Sequence, residues 1–273
     1  MRSLIRKTLD FFLGYLGFKL ARTTQHVCNQ SGFSELSEMI RKLRPVPIST
    51  ELIRFGPQGD GGYLIPNDLE GVVACFSPGV SSISGFELEC AKKGMSVYLA
   101  DNSVESPNEH HHKFFFTKKF IGAFNDRSYI SVDSWVSSGK DIDGGDLMLQ
   151  MDIEGFEYEA ILNLSHELQR QFRIIVVEFH SLDELWNKAF FNIASRTFDK
   201  LLTTHRCIHI HPNNYAPVVQ KDGIEIAPLL EMTFLRNDRV EIVDKNIAYP
   251  HPLDCDNTNN PSFPLPKTWY QPD

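Results

Sequence analysis

The sequence is short of several things at once. None of its five cysteines forms a C-x-x-C pair, no G-x-G-x-x-G run occurs, and no apolar stretch reaches the about 20 residues that cross a bilayer. Positive charge is scarce too: 27 Lys and Arg face 35 Asp and Glu, a net charge of −8. Each shortage excludes something. Cys28, Cys75, Cys90, Cys207 and Cys255 are odd in number and unpatterned, so neither a disulfide framework nor a zinc site is indicated, and a reducing cytoplasm is the expected home. Without the glycine fingerprint there is no cradle for a pyrophosphate, which argues against a dinucleotide but not against a nucleoside that carries no phosphate. The acidic balance argues against nucleic acid as a general partner.

What is present fits one large α/β domain with appendages: 273 residues, 42% hydrophobic and 23% charged, with no internal repeat. Residues 1–25 run against the general charge. Arg2, Arg6, Lys7, Lys19 and Arg22 against Asp10 give this segment +4 and leave the remainder at −12. Wound as a helix, its apolar residues fill one broad arc, the form of a helix lying on a membrane surface through residues 1–22. Docking on the protein's own domain or on a second subunit suits the same pattern. Asp10 and Lys19 interrupt the apolar core that a signal peptide needs. The expected organisation is therefore a basic amphipathic helix (1–25), an α/β domain (26–250) and a tail (251–273). That tail, with five prolines and two asparagine-rich turns, is an extended wrap or a loose end. The expected location is the cytoplasm, peripheral at the inner face of the membrane.

From residue 33 the pattern alternates. Phe33 to Leu43 has helical spacing, ended by Pro45 and Pro47, and Glu51 to Pro66 suits a strand pair around Gly59-Asp60-Gly61-Gly62. Gly71 to Phe76 is a short apolar run of the kind buried in parallel sheets. A small-residue turn follows (Ser77, Pro78, Gly79, Val80, Ser81), then Ser84 and Glu87 spaced as a capping box that opens a helix. Strands are expected over Met95 to Ala100, Lys113 to Phe116, Leu147 to Met151 and Arg173 to Phe179, with helical crossovers between them. Ile208 to His211 and Leu230 to Leu235 suit an antiparallel edge on a parallel sheet, and Phe114 to Phe116 are expected in the core.

The most informative stretch is Asp146 to Leu162. Leu147 to Met151 is a buried strand, Asp152 stands at its end, Glu154 follows, Gly155 permits a tight exit, and Phe156, Ala160 and Leu164 repeat at helical spacing. Open α/β sheets bind ligands beyond the carboxyl ends of their strands, where loops assemble polar groups without burying them unpaired. Capping the following helix would be the plain structural role for Asp152 or Glu154. Asp101 also ends a strand, about 20 residues past the Gly79 turn, where α/β nucleotide-binding folds hold ribose hydroxyls.

A series of short matches in order resembles the FkbM-type methyltransferases, a branch of the class I S-adenosylmethionine (SAM)-dependent enzymes. The matches are Asp60-Gly-Gly-Tyr63, Phe76-Ser-Pro-Gly-Val80 with Phe86-Glu87, Val97 to Asp101, Gly122 to Tyr129, Met151-Asp-Ile-Glu-Gly-Phe-Glu157, Val177-Glu-Phe-His180, His209 to Asn214 and Leu230 to Phe234. The resemblance implies a Rossmann-like sheet of seven mostly parallel strands with an antiparallel edge and helices on both faces. It implies SAM as cofactor, with Gly79 and its neighbours Ser77, Val80 and Ser81 near the methionine part and Asp101 with Asn102 at the ribose. Asn125 and Asp126 would lie near the adenine and Asp152 near the sulfonium. Many class I enzymes have an acid and further glycines in the first loop; this chain has Ser77, Pro78 and Ser81 instead, and Asp60 with Gly61 could substitute.

Methyl transfer asks for alignment and for removal of the acceptor's proton. Glu178 and His180 lie two apart on a strand, as do His209 and His211, so each pair shares a face. With Asp152 one strand over, His180 is expected as the general base, oriented by Asp152 or Glu178. Asp152, Glu178 and His180 could instead hold a divalent cation, which so few donors disfavour. Glu154, His211, Asn213 and Asn214 are expected at the acceptor, the last three as a polar turn that grips hydroxyls. Glu109 to His112 is expected to be a solvated surface, and Trp186, Phe190 and Phe191 would stack on a sugar or pack a helix. The favoured function is O-methylation of a sugar hydroxyl on a bacterial surface glycan or its lipid-linked precursor. The acceptor partner would then be a carbohydrate or glycolipid. A small secondary metabolite as acceptor, and a non-catalytic nucleoside-binding scaffold, are the alternatives.

Overall fold

The computed structural model of the chain describes residues 29–271 except 81, 82, 140, 141, 143 and 246; the helix expected over 1–25, and Ser81, therefore lie outside the described residues. Helix α1 (Phe33–Leu43) buries Leu36, Met39, Ile40 and Leu43 along one stripe, as its spacing predicts. The antiparallel pair β1 (Leu52–Phe55) and β2 (Tyr63–Pro66) follows. Next come β3 (Val72–Pro78), α2 (Gly85–Lys92), β4 (Ser96–Ala100) and β5 (Phe114–Thr117). A short pair, β6 (Phe120–Ile121) and β7 (Tyr129–Ile130), precedes α3 (Val132–Ser137) and β8 (Asp146–Met151). Helices α4 (Glu157–Asn163) and α5 (His166–Gln171) lead to β9 (Phe172–Phe179), and α6 (Lys188–Leu202) to β10 (His205–Pro212). A hairpin of β11 (Val219–Lys221) and β12 (Ile224–Ile226) then precedes β13 (Leu230–Arg236).

Seven strands form one sheet in the order β10-β13-β9-β8-β3-β4-β5. All neighbours are parallel except β13, which runs antiparallel between β9 and β10. This is the mixed α/β, mostly parallel sheet that the apolar runs imply. Strand β9 is buried at all eight positions, which only a central strand covered on both faces can be. Each of its Ile and Val side chains contributes about 1.5–3 kcal/mol by leaving water. Among the cysteines, Cys75, Cys90 and Cys207 are buried free thiols.

Two local expectations are corrected. Ser84 does not cap α2 with its side chain: its hydroxyl is buried without a partner, while Glu87 turns inward to Ser77. The run Phe114 to Phe116 is not wholly core, because β5 is the sheet edge; Phe115 is 37% exposed and stacks on Tyr98.

The tail wraps. Trp269 is fully buried and donates Nε1–H to the Glu225 carbonyl at 3.1 Å. Asp254 enters between two strand histidines, with Oδ1 2.9 Å from His209 Nε2 and Oδ2 3.7 Å from His211 Nδ1. Burial disfavours its charge, but the two imidazoles override this and hold the carboxyl well below the usual range. Asn214 ties the next turn, donating to the carbonyls of Thr258 and Asn260 at 3.1 and 2.9 Å. Replacing Asp254 by Ala strips the carboxylate from two buried imidazoles and is expected to lower unfolding stability by roughly 3–5 kcal/mol in a denaturant titration. A loss below about 1 kcal/mol would show that the tail is held elsewhere.

Candidate active site

The carboxyl ends of β3, β4, β8 and β9 meet where the order of connection reverses, and two cavities open there. The first, about 450 Å3, is lined by Gly79, Ala100, Asp101, Ser103, Phe120, Ile121, Tyr129, Ile153 and Phe156. The second, about 580 Å3, is lined by Glu178, His180, Ser181, Asp183, Asn213, Tyr215, Ala216, Pro228, Leu229, Asn257 and Thr258. Asp60, Asp152 and Glu154 line both and form the partition between them.

Gly79 has φ +91°, and a Cβ there would stand 1.5 Å from the carbonyl oxygen of Asp152, so only glycine lets the β3 turn approach the end of β8. Its N–H donates to the Ala100 carbonyl at 3.0 Å, which ties the same turn to β4. Asp101 is 8% exposed; its Oδ1 accepts from the backbone N–H and the hydroxyl of Ser103, both at 2.6 Å, which fixes the carboxylate in the cavity wall. Phe120, Tyr129 and Phe156 supply flat apolar walls, with Tyr129 ring centroids 5.6 Å from Phe120 and 6.1 Å from Phe156.

Several residues assigned to the cofactor by resemblance lie elsewhere. Ser77 is buried beneath the turn, its oxygen 2.5 Å from Glu87 Oε1 and 2.6 Å from Gln150 Oε1. Burial raises Glu87 to about 7, and the hydrogen bond that Ser77 donates to it works against the rise. Val80 packs in the core behind the sheet. Gly61 and Asn102 do not line the cavity. Asn125 and Asp126 are spent on their own loop: Asn125 accepts from Ser131 N–H and donates to Ser134, and Asp126 accepts from the N–H groups of Ser128 and Tyr129. Polar residues were expected near an adenine; aromatic rings line this side instead.

On the other side of the partition, His180 follows the end of β9. Its Nε2 lies 3.7 Å from Asp152 Oδ1 and 3.5 Å from Glu154 Oε2, and its Nδ1 lies 3.0 Å from Glu157 Oε1. The orienting group is therefore Glu157, not Asp152 or Glu178. Glu157 is fully buried at the start of α4, and the same Oε1 accepts from the N–H groups of Ile153 and Gly155, each at 3.1 Å. The turn that makes this possible puts Glu154 at φ +57° and Gly155 at φ +100°. The sequence marks Glu157 only as an acid in the first turn of a helix, two residues after a glycine exit.

Glu178 enters the second cavity and takes a hydrogen bond from Asn213 Nδ2 at 2.8 Å. Asn214 holds the tail, and His211 faces Asp254 in a separate cavity, so neither joins Asn213 as an acceptor contact. Trp186 and Phe191 are buried and Phe190 packs edge-on against Tyr158, so all three serve the core.

The electrostatics are set by carboxyls that lack cations. Burial raises Asp152 to about 7, with Glu154, Glu157 and Asp60 adding to the effect and His180 opposing it. Burial, then Asp152 and Glu231, push the Glu178 pKa well above the carboxylate range. Burial works against the His180 imidazolium, but the hydrogen bond and charge of Glu157, with Asp152 and Glu154, override it and raise its pKa. Donor atoms of Asp152, Glu154 and His180 lie within 4.8 Å of one another, a set that contains Glu154 where Glu178 was expected. Replacing Glu157 by Gln removes the main raising influence, so the His180 titration followed by NMR is expected to move to lower pH. An unmoved midpoint would assign the orientation to another group.

Residues 91–204 match the profile of the family described as "Methyltransferase FkbM domain". No curated protein matches the chain. Solved structures that it resembles include precorrin-6y C5,15-methyltransferase from Geobacter metallireducens, at 11% identity over 80% of this chain and 95% of that one, with a TM-score of 0.30. Another is a variant of the 16S rRNA (adenine(1408)-N(1))-methyltransferase from Catenulisporales acidiphilia, at 8% identity over 70% of this chain and 99% of that one, also at 0.30. At that TM-score neither likeness bears on substrate. The matched stretch runs from α2 through α6 and carries Asp101, Asp152, Glu157 and His180, so much of the site lies within the part of the chain that resembles an FkbM methyltransferase domain.

Proposed function

We propose that the protein is an O-methyltransferase that modifies a sugar hydroxyl, with SAM in the aromatic cavity and the acceptor in the polar one. The observation that supports this most is the shared partition: two cavities of different chemistry meet at Asp60, Asp152 and Glu154, within reach of one histidine. The first cavity suits the cofactor in its own terms. It has the volume of a small-molecule site, a carboxylate fixed for a diol, aromatic walls for a purine and a turn held close by Gly79.

SAM, when bound, supplies an electrophilic methyl group on a sulfonium. The chain's residues do the rest. The carboxyl-rich partition favours a positively charged group beside Asp152. Asp101 would hold the cofactor's ribose and the aromatic walls its purine, so that the methyl group would face an acceptor hydroxyl across the partition, in line with the carbon–sulfur bond that would release it, the electron pair staying on sulfur. The hydroxyl proton passes to His180 Nε2, while Glu157 on Nδ1 stabilises the imidazolium formed. Because the base must be neutral, activity is expected to rise with pH as His180 loses its proton, with the acid limb above the ordinary histidine value of about 6.5.

Titration with SAM tests the cofactor half: Asp101→Ala is expected to weaken binding at least tenfold while the protein stays folded. His180→Ala is expected to keep SAM binding and lose roughly 10²–10⁴-fold in turnover. Unchanged turnover would reject the base. Activity lost on EDTA treatment and restored by Mg2+ would replace it with a cation held by Asp152, Glu154 and His180.

The basic amphipathic segment 1–22 would bring the enzyme to a lipid-linked acceptor at the inner face of the membrane. No described helix is long and apolar enough to cross a membrane. Deleting residues 1–22 is expected to abolish binding to anionic liposomes and leave methylation of a water-soluble acceptor intact; retained liposome binding would remove the membrane role.

A further inference from the structure

Among the described residues Tyr215 is the most exposed of the large hydrophobic side chains, at 70%, yet its backbone is pinned on both sides. Its N–H donates to Asn213 Oδ1 at 2.8 Å and its carbonyl accepts from Asn260 Nδ2 at 3.1 Å. An aromatic ring left in water on a fixed backbone, at the rim of a cavity, is a preorganised contact surface. Ala216, Pro228 and Leu229 continue it as an apolar floor.

The rest of that cavity is polar and rich in carboxyls. Asp60, Asp152, Glu154, Glu178 and Asp183 all line it, and no Lys or Arg does. Asn257 hangs from the tail over this space. Its Nδ2 is engaged by Glu231 at 2.6 Å, whereas its Oδ1 is buried with no partner, an acceptor left for a hydroxyl or amine that enters. A flat apolar face opposed by acceptor oxygens matches a pyranose, which offers C–H groups on one face and O–H or N–H donors around its edge. A carboxylate or phosphate on the same ring would meet the carboxyls, and the basic side chain in the wall, His180, is already held by Asp152, Glu154 and Glu157.

We infer that Tyr215 is the platform on which the acceptor sugar lies and that this cavity admits pyranose rings that are neutral or bear an amine while rejecting those that bear an acid. The inference rests on the methyltransferase reading and narrows its substrate. In a lipid-linked acceptor, the methylated ring must lie far enough from the diphosphate for the phosphates to stay outside.

The test uses the full chain saturated with S-adenosylhomocysteine, and saturation-transfer NMR with the methyl glycosides of glucose, galactose and mannose and their amino and uronic counterparts. Neutral and amino glycosides are expected to bind, with uronic ones at least tenfold weaker. Tyr215→Ala is expected to weaken the neutral glycosides at least tenfold and Tyr215→Phe to leave them unchanged, both variants keeping wild-type affinity for S-adenosylhomocysteine as proof of folding. Uronic glycosides bound as well as neutral ones, Tyr215→Ala without effect, or no pyranoside bound at all would each overturn the inference while the cofactor half stands. Failure of the wild-type protein to bind S-adenosylhomocysteine would instead overturn the methyltransferase reading, and this inference with it.

Discussion

The contact between the turn after β3 and the end of β8 organises everything around it. With no side chain at position 79, the carbonyl of Asp152 can occupy the space where a Cβ would stand, and Asp152 N–H reaches the Pro78 carbonyl at 3.4 Å. Two loops that would otherwise stand apart are thereby pressed together at the crest of the sheet. One side of the junction becomes the aromatic cavity and the other the polar one, and the carboxylate between them belongs to both. Widening this contact by a single methyl group would move the partition itself, so the site's chemistry rests on a backbone clearance as much as on any side chain.

The sheet is electrically polarised along its strands. At its base, Arg173 and Arg236 hold Asp146 at 2.7 and 2.6 Å, and Arg239 holds Asp68 at 2.6 Å. Burial disfavours the Asp146 carboxylate, but the hydrogen bonds from the two arginines more than compensate, and both aspartates stay below their ordinary range. At the crest carboxyls behave oppositely: Asp152, Glu178 and Glu231 are buried together and raised, and the nearby His180, His211 and Arg54 offset burial only in part. His211, Glu231 and Glu178 stand in one cross-strand row, so this crowding is built into the register of β10, β13 and β9. Carboxyls that cost stability when ionised are thus gathered where the two cavities meet.

The periodic parts of the chain were legible from sequence because their signals are local. Apolar runs at β3, β8 and β9 and the late pair that became β10 and β13 declare themselves within a few residues, and Asp101 and Asp152 could be placed because strand ends are where such sheets collect ligands. Contacts made at a distance in sequence were not legible. Ser77 and Glu87 suited a ligand and a cap respectively, yet they satisfy each other under the turn. Asn125 and Asp126 suited a purine and serve their own loop, because Asn and Asp compete for nearby backbone N–H groups before anything else. Glu157 and Tyr215 acquire meaning from His180 and from the tail, partners 23 and 45 residues away.

One wall of the polar cavity comes from a tail segment with no place in the sheet. Asp254 is its peg, Asn214 its clasp, and Asn257 and Thr258 are what it brings to the cavity wall. Between those fastenings the sequence is free to drift without disturbing a strand, a crossover or the aromatic cavity. The lining of the polar cavity can therefore diverge among descendants of this fold by exchanging a short strap, the way a lock is rekeyed without replacing the door.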